Sequence, residues 1–152
     1  MNNPATTQET LIQHSIEAFW QTFPSTWRSI HTYTHNIAVE RYHITMAQFI
    51  ILREINFGDT SVSQLAEAGH ISRPAISRLV DILVNKQLVN RVENPVDRRH
   101  VSLSLTTQGE RLLAELFRDT HLWMETKLKT LSDQELSKLI QSLELLRKTF
   151  VE

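Results

Sequence analysis

The sequence predicts a mostly α-helical fold that carries one small β-hairpin. Two short amphipathic helical patterns follow one another from Ser61 to Leu83. Two segments with strand propensity come next, at residues 88–92 and 101–105, and the second alternates apolar with polar residues. Long amphipathic helical patterns flank this block on both sides. Helix, turn, helix and hairpin in this order predict a winged helix-turn-helix with N- and C-terminal dimerisation helices.

The N-terminal part predicts two helices on either side of Pro24. Apolar residues recur at helical spacing from Gln8 to Phe23, and Pro24 either stops that helix or starts the next one in its first turn. A second helical pattern runs from Ser25 to His43. The aromatic side chains of the first helix need a partner surface, and a dimer interface is favoured over a membrane or cofactor role.

The helix-turn-helix is predicted from its capping residues. Ser61 and Gln64 form a capping box that starts the first helix. Gly69 is the predicted left-handed C-cap, and Ser72 caps the second helix, which tolerates Pro74 in its first turn. The flanking helices show the same box in the pairs Thr45 with Gln48, Thr107 with Glu110, and Ser132 with Glu135.

The second of these helices has the features of a DNA recognition helix. Its apolar residues Ile76, Leu79, Val80 and Leu83 recur every three to four positions and are expected to face the core. Arginine can fork onto guanine in the major groove, and small hydroxyls can contact bases or phosphates. The predicted DNA-facing residues are Ser72, Arg73, Pro74, Ala75, Ser77 and Arg78.

The hairpin has a basic tip. Asp97, Arg98 and Arg99 lie between the two predicted strands. Guanidinium groups at such a tip can enter a narrow minor groove, where the potential is most negative. Asp97 is interpreted both as a turn residue and as a carboxylate that pairs with a nearby arginine to orient the wing.

These residues carry a resemblance to the MarR family of bacterial transcriptional regulators. The similar segments are Ile44-Thr45-Met46-Ala47-Gln48-Phe49, then residues 72–81, Asp97-Arg98-Arg99, and Leu105-Thr106-Thr107-Gln108-Gly109. The most specific part is the Asp-x-Arg wing followed by Leu-Thr-x-x-Gly. With the flanking helices the resemblance extends from about Thr26 to the C-terminus. Gln87 is a departure, because the family usually has glycine there, so the local turn can differ.

The resemblance implies a homodimeric regulator, and a ligand-responsive repressor in particular, that binds a palindromic operator in double-stranded DNA. It also implies a small effector, often an aromatic or phenolic acid, bound between the dimerisation helices and the DNA-binding lobe. Residues that can line that junction are Trp27, His31, Tyr33, His35, Met46 and Phe49. No other cofactor is expected. The predicted domains are residues 1–43 (dimerisation and part of the pocket), 44–106 (DNA-binding lobe) and 107–152 (C-terminal dimerisation helices).

Composition supports a DNA-binding interpretation only locally. The net charge of 152 residues is −1, but residues 70–105 hold six Lys or Arg against three Asp or Glu, a local excess of +3.

With no cysteine, thiol sensing, disulfides and thiolate metal sites are excluded. No apolar run is long enough to span a membrane and no signal peptide is recognisable, so a cytoplasmic protein is expected. Enzyme motifs, such as a nucleophile elbow or a phosphate loop, are absent from the sequence.

Two alternatives remain from the residues alone. His31 and His35 are four residues apart on one helix face, a spacing that can hold zinc, so a zinc-responsive repressor is conceivable. A strong site would need further ligands, which makes zinc the less favoured interpretation. The other alternative is a winged helix that contacts only proteins through its arginine-rich face.

Overall fold

The computed structural model describes residues 4–58, 61–93 and 101–151. Its helices are α1 (Pro4–Glu40), α2 (Met46–Phe57), α3 (Val62–Ala68), α4 (Arg73–Asn85), α5 (Thr107–Leu128) and α6 (Asp133–Phe150), and its strands are β1 (Val89–Glu93) and β2 (Val101–Leu105). The chain divides into two compact units, one ending at Leu113 and the other beginning at Ala114. The predicted class, mostly helical with a two-stranded wing, is confirmed.

Helix α1 is one continuous helix that contains Pro24, so the predicted break at that residue is wrong. Proline removes the amide that would donate to the carbonyl four residues earlier, here that of Trp20. Trp20 is an exposed residue, so water can replace this bond. Side-chain hydrogen bonds to the helix backbone are also present at the proline. The hydroxyls of Ser25 and Thr26 both donate to the carbonyl of Thr22.

Helix α2 begins and ends as its sequence predicts. The Thr45 hydroxyl accepts from the Gln48 amide at 3.2 Å, and the Gln48 side chain accepts from the Thr45 amide at 3.0 Å. Gly58 closes the helix in the left-handed region, at φ 114°. Phe49, Leu52 and other residues on the inner face of α2 are buried, which makes this helix the centre of the first unit.

The corner between α3 and α4 is displaced by one residue from the prediction. Ser61 caps α3 as expected, by accepting from the Gln64 amide. Gly69, however, has a right-handed conformation with φ −88°, and the left-handed residue is His70 with φ 50°. The amide of His70 donates to Glu67, and the amide of Ile71 donates to Ala66. These two bonds form a Schellman motif, which places the left-handed residue after the cap, not at it.

The end of α4 repeats this motif with a glutamine. Gln87 lies in the left-handed region at φ 59°. Its amide donates to the Val84 carbonyl, and the amide of Leu88 donates to the Leu83 carbonyl. A residue in this position pays a steric cost unless it is glycine. The glutamine therefore keeps the turn that a glycine would form, and the local backbone does not depart from the pattern.

A second contact fixes the same end of α4. The Lys86 ammonium donates to the carbonyl of His43, in the connection between α1 and α2, at 2.5 Å. The last turn of α4 is therefore held from the side as well as by its own Schellman bonds.

The two strands pair antiparallel, with Val89 opposite Leu105 and Arg91 opposite Leu103. Leu103 and Val89 are buried, whereas Val92 is 58% exposed. The hairpin therefore has one face on the core and one face to solvent, as alternation along the strand predicts.

Helix α5 is attached to the turn after α4 by a threonine and a glycine. The Thr106 hydroxyl donates to the Gln87 carbonyl at 2.6 Å and accepts from the Gly109 amide at 3.0 Å. The capping hydroxyl is thus that of Thr106, one residue before the predicted Thr107. A Cβ atom on Gly109 would lie 2.1 Å from the Leu88 carbonyl oxygen, so only glycine allows this close approach. The packing of α5 against the turn after α4 therefore requires glycine at position 109.

Helix α6 belongs to the second unit and starts with the predicted capping box. The Glu135 carboxylate accepts from the amide and the hydroxyl of Ser132, at 2.8 Å and 2.7 Å. These hydrogen bonds, the backbone one first, lower the pKa of Glu135 below its ordinary value. None of the residues in α6 is buried.

Across the ranges that the structure describes, no helix combines the length and apolar character needed to cross a membrane.

Candidate nucleic-acid interface

Helix α4 has one buried face and one exposed face, as predicted. Ile76, Val80 and Leu83 are at most 2% exposed. Arg73 and Arg78 are exposed on the other side of the helix. The strong amphipathicity of α4 explains this orientation, because burying the apolar stripe leaves the arginines in solvent.

The remaining predicted DNA-facing residues surround these arginines. Ser72 and Pro74 are exposed, and Ala75 and Ser77 are half-buried. Ser72 occupies the N-cap position, but its hydroxyl makes no capping hydrogen bond to α4. The amide at the second helical position is absent because that residue is Pro74. The Ser72 hydroxyl therefore lies at the helix start without the bond that usually holds it.

The two arginines of α4 form no ion pair with the described residues. Among the described residues, neither Arg73 nor Arg78 has a salt-bridge partner, whereas Arg53 and Arg91 each pair with a carboxylate. Unpaired guanidinium groups at the exposed start of a helix are suited to phosphate oxygens and base edges. This edge of α4 thus combines positive charge, small hydroxyls and an apolar proline.

An ion pair links α4 to the wing, and sequence reasoning did not find it. The Arg91 guanidinium of β1 donates to the Asp81 carboxylate of α4 at 2.6 Å. Both side chains remain partly exposed, at 35% and 53%. The two residues are ten positions apart across a turn, so a helical or strand period does not reveal the pair. The ion pair links β1 to α4 and so helps to orient the wing. The sequence suggested this orienting role for Asp97.

The predicted wing residues Asp97, Arg98 and Arg99 lie outside the described residues. Their assignment to DNA contact stays a prediction. The two strands on either side of these residues are described: β1 follows α4 and pairs antiparallel with β2.

The six residues predicted to line an effector pocket occupy different environments. Phe49 is 5% exposed and belongs to the core, whereas Trp27 is 55% exposed. Tyr33, Met46 and His31 are half-buried, and His35 is exposed. The His31 ring lies 6.3 Å from the Trp27 ring, between centroids. The pocket assignment stays a prediction.

His31 and His35 of α1 are the two candidate metal ligands. His35 lies with its Nδ1 atom 3.4 Å from the Asn36 side-chain oxygen, which is a weak contact within the helix. Within residues 4–58, 61–93 and 101–151, no group of three or more His, Asp or Glu is arranged to hold a metal ion. A zinc site built from His31 and His35 would need ligands from elsewhere.

Comparison with known proteins places this fold and interface in a family. Residues 44–101 match the model of the MarR family. The HTH-type transcriptional regulator YhbI of Bacillus subtilis is 35% identical over 111 residues, which cover 70% of this chain and 72% of YhbI. A MarR family protein from Bacillus stearothermophilus has a similar structure, with a TM-score of 0.81 and 21% identity over 92% of this chain and 98% of that one. A mutant of S. aureus MepR bound to an oligodeoxyribonucleotide gives a TM-score of 0.67 and 21% identity over 86% of this chain and 96% of that one. Together with the helix-turn-helix and its wing, these similarities establish that the chain belongs to the MarR family of DNA-binding transcriptional regulators.

Proposed function

We propose that the protein is a ligand-responsive repressor that binds a palindromic operator as a homodimer. The observation that carries the proposal is the exposed pair Arg73 and Arg78 on α4, which has no ion-pair partner among the described residues and lies opposite an apolar face with Ile76, Val80 and Leu83 buried. A solved structure with this fold, that of the MepR mutant, is bound to an oligodeoxyribonucleotide. Another relative, MdtR of Bacillus subtilis, is a transcriptional repressor with 30% identity over 100 residues.

The geometry of α4 fits the major groove. Arg73 and Ser77 are four residues apart and Pro74 and Arg78 are likewise four apart, so both pairs lie along one side of the helix. Recognition helices of helix-turn-helix proteins contact base edges with their N-terminal residues. In this arrangement Arg73 and Arg78 read guanine or contact phosphate, Ser77 supplies a hydroxyl, and Pro74 and Ala75 contact thymine methyl groups.

The wing completes the proposed contact. Arg98 and Arg99 follow β1, whose Arg91 is tied to α4 through Asp81. We place the two arginines of the tip in the minor groove next to the major groove that holds α4. The contribution of Asp97 is to orient this tip.

The homodimer accounts for the apolar surface outside the DNA-binding lobe. Large hydrophobic side chains are 46–68% exposed along the first part of α1, and the set is Leu11, Ile12, Ile16, Trp20, Phe23 and Trp27. Helix α6 likewise exposes Ile140, Leu143, Leu145 and Phe150. Apolar faces of this extent mark interaction sites. A second copy of the chain covers them and supplies a second α4 for the other half of a palindrome.

Ligand response follows from the family resemblance. A small aromatic or phenolic effector that favours a dimer with the wrong spacing between its two α4 helices weakens operator binding by that difference in affinity alone. Trp27, His31, Tyr33, His35, Met46 and Phe49 are the residues proposed to receive it. No metal or other cofactor is part of the proposal.

The test is duplex binding by arginine variants. A duplex recovered from a random-sequence library with the purified protein serves as the operator. Arg73→Ala and Arg78→Ala should each weaken binding by about 1–3 kcal/mol, since each removes a base or phosphate contact. Arg28→Ala, which removes an exposed arginine from α1, is the matched control and should change the affinity little. Equal affinities for all four proteins would reject the assignment of α4.

Salt dependence separates DNA binding from a protein-contact role. Each phosphate that a protein neutralises releases counterions, so the affinity must fall steeply as salt rises. We expect the slope of log Kd against log salt to become shallower by roughly two for an arginine variant that loses a phosphate contact, because a homodimer loses that contact at both half-sites. Absence of any duplex binding at low salt would favour a winged helix that contacts only proteins.

A further inference from the structure

A lysine at the end of α4 is bonded to the connection between α1 and α2. Lys86 is the C-cap residue of α4, and its ammonium group donates to the His43 carbonyl at 2.5 Å. The two residues are 43 positions apart in the sequence. Within the described part of the chain, this is the one hydrogen bond that the Lys86 side chain makes. The contact therefore joins α4 to the helix that precedes the DNA-binding lobe.

The acceptor of this bond belongs to an ordered turn at the end of α1. His43 has a left-handed backbone, with φ 54°. The amide of Tyr42, just before it, donates to the Ile37 carbonyl at 3.3 Å. The amide of Ile44, just after it, donates to the Ala38 carbonyl at 2.9 Å. Because both sides of the turn are bonded to the last turns of α1, the His43 carbonyl moves with the end of that helix.

The donor is attached equally firmly to α4. The Lys86 amide donates to the Ile82 carbonyl at 3.0 Å, and the amides of Gln87 and Leu88 form the Schellman motif that follows. Leu88 is buried, at 2% exposure. A cation beside the last carbonyls of a helix is also favoured by the helix dipole. The Lys86 backbone is thus part of the rigid end of α4, and its side chain bridges to His43.

The bond restrains α4 at the end remote from its proposed base contacts. Arg73 is the first residue of α4, whereas Lys86 follows its last residue. A rotation of α4 about the Lys86 end therefore displaces Arg73 the most. Hydrogen bonds to base edges require donor and acceptor at a defined distance and angle, whereas attraction to phosphates depends mainly on charge. A loss of restraint at Lys86 is expected to weaken base reading more than attraction to the DNA backbone.

We propose that Lys86 is a positioning residue for DNA reading. Its bond to the His43 carbonyl holds α4 at the angle at which Arg73 and Ser77 meet base edges. Lys86 touches no DNA atom in this arrangement, since it acts through α4. The proposal rests on the proposed function of α4 in DNA binding.

Four proteins are compared to test this role. Lys86→Met removes the donor from a side chain of similar length, and Lys86→Arg keeps a donor. Lys129→Met is the matched control beside the original protein, because Lys129 is also an exposed lysine with a bonded partner, the Glu125 carboxylate at 2.7 Å, but lies beyond α5 and outside the DNA-binding lobe. Thermal melting checks the fold. Lys86→Ala replaces Lys86→Met if the methionine side chain perturbs it.

The first arm compares the operator with a scrambled duplex of the same length and composition. We expect Lys86→Met to weaken operator binding roughly tenfold, because a homodimer loses the bond at both half-sites, and to change binding to the scrambled duplex less than about twofold. Lys86→Arg should restore most of the operator affinity, and Lys129→Met should bind both duplexes like the original protein. The ratio of the two affinities is the readout, since a general loss of folded protein lowers both affinities alike.

Two results of this arm overturn the proposal. Equal losses on both duplexes, with a shallower salt dependence, would make Lys86 a phosphate contact and not a positioning residue. Operator binding by Lys86→Met as tight as that of the original protein would show that the bond does not affect reading.

The second arm needs no DNA and measures amide hydrogen exchange. Lys86→Met should speed exchange at least about twofold in peptides spanning residues 40–46 and 80–90, because the bond restrains both segments, and leave peptides of α6 unchanged. Exchange equal to that of the original protein in both segments would show that the bond is not formed in solution, and the proposal is then overturned. A protein that binds no duplex contradicts the proposed function and the positioning role together, and the exchange arm tells that failure apart from absence of the bond itself.

Discussion

At the scale of single residues, three of the described connections between helices and strands contain a left-handed residue that is not glycine. His43, His70 and Gln87 have φ values of 54°, 50° and 59°. Side chains rarely adopt this conformation because Cβ approaches the following carbonyl oxygen. The surrounding hydrogen bonds, such as the Schellman pair at Gln87, hold the residues there. Each corner therefore stores a steric cost that a glycine would relieve.

Gln87→Gly should accordingly stabilise the protein. The left-handed conformation costs a non-glycine residue about 1–2 kcal/mol, and the greater freedom of glycine in the unfolded chain offsets roughly 0.5–1 kcal/mol of the gain. The expected net increase in the free energy of unfolding is about 0.5–1 kcal/mol, measured by chemical denaturation.

The control for this substitution is the nearby Asn85→Gly. Asn85 has a helical backbone as the last residue of α4, so glycine there should lower stability. A Gln87→Gly protein no more stable than the original would show that the turn carries no steric cost.

Gly109→Ala should have the opposite effect. The added Cβ would lie 2.1 Å from the Leu88 carbonyl oxygen, which is a backbone atom and cannot move aside alone. Forcing such a contact costs about 1–3 kcal/mol of unfolding free energy. Gln108→Ala, at the adjacent exposed position, is the control and should be nearly neutral. Equal melting curves for the two variants would contradict the close approach.

The glycine of Leu-Thr-x-x-Gly could be read from the sequence as a motif, but not as a contact. Its need for glycine depends on Leu88, twenty-one positions earlier in the chain, which no local pattern connects to it. The same limit applies to the Asp81–Arg91 ion pair. At the end of α3 the sequence predicts the left-handed residue at Gly69, because glycine is the commoner residue in that conformation. In the structure the left-handed residue is the next one, His70.

At the scale of elements, capping residues predicted helix starts well. Thr45, Ser61, Ser72 and Ser132 all occupy the N-cap positions that the sequence indicates. Strand propensity also predicts the extents of both strands within one residue. Pro24 misled the prediction of α1, since proline is a breaker by local rules but can be accommodated where a helix is exposed.

The cap of α6 gives a prediction about pH. The hydrogen bonds from the Ser132 amide and hydroxyl lower the pKa of Glu135, so this carboxylate contributes stability above its unfolded-state pKa and loses it as pH falls through the folded-state value. Ser132→Ala removes the hydroxyl and should raise the pKa of Glu135 toward 4.5. NMR titration of the glutamate carboxyl carbons measures the change.

Glu125 is the internal reference in the same titration. Its pKa is lowered by hydrogen bonding to Lys129 and by the charge of that lysine, so Ser132→Ala should leave it unchanged. If Glu135 titrates identically with and without the serine hydroxyl, the capping box is not formed in solution.

At the scale of the whole molecule, the exposed apolar face of α1 is predicted to hold two copies together. Trp20→Ala removes a side chain that is 68% exposed in the single chain. We expect it to weaken a homodimer by about 2 kcal/mol or more, as a buried tryptophan at an interface does. Sedimentation equilibrium measures this, and Gln21→Ala at the adjacent position is the control. A dimer of unchanged strength would place Trp20 outside the interface.

The overall organisation was predictable because the signals of composition and order agree. The order of the helices and the hairpin predicts one fold, and the family match and the similar solved structure confirm it. The apolar groove between α2, α3 and α4 was not predictable. It depends on Ala47, Ala68 and Gly69 meeting in space, and small residues in a sequence do not show that they converge.

The anchoring of one end of α4 has a mechanical consequence. Lys86 is bonded to the His43 carbonyl, Asp81 to Arg91, and the last turn to its own Schellman bonds, whereas Ser72 at the other end makes no side-chain capping bond. Helix α4 can therefore act as a lever with its pivot near Lys86. Its 13 residues span about 20 Å, so a tilt of about 5° sweeps the Arg73 end through roughly 1.7 Å. Such a sweep exceeds the tolerance of a hydrogen bond, so in the proposed complex with DNA a tilt of this size would break a contact between Arg73 and a base while the helix stays folded.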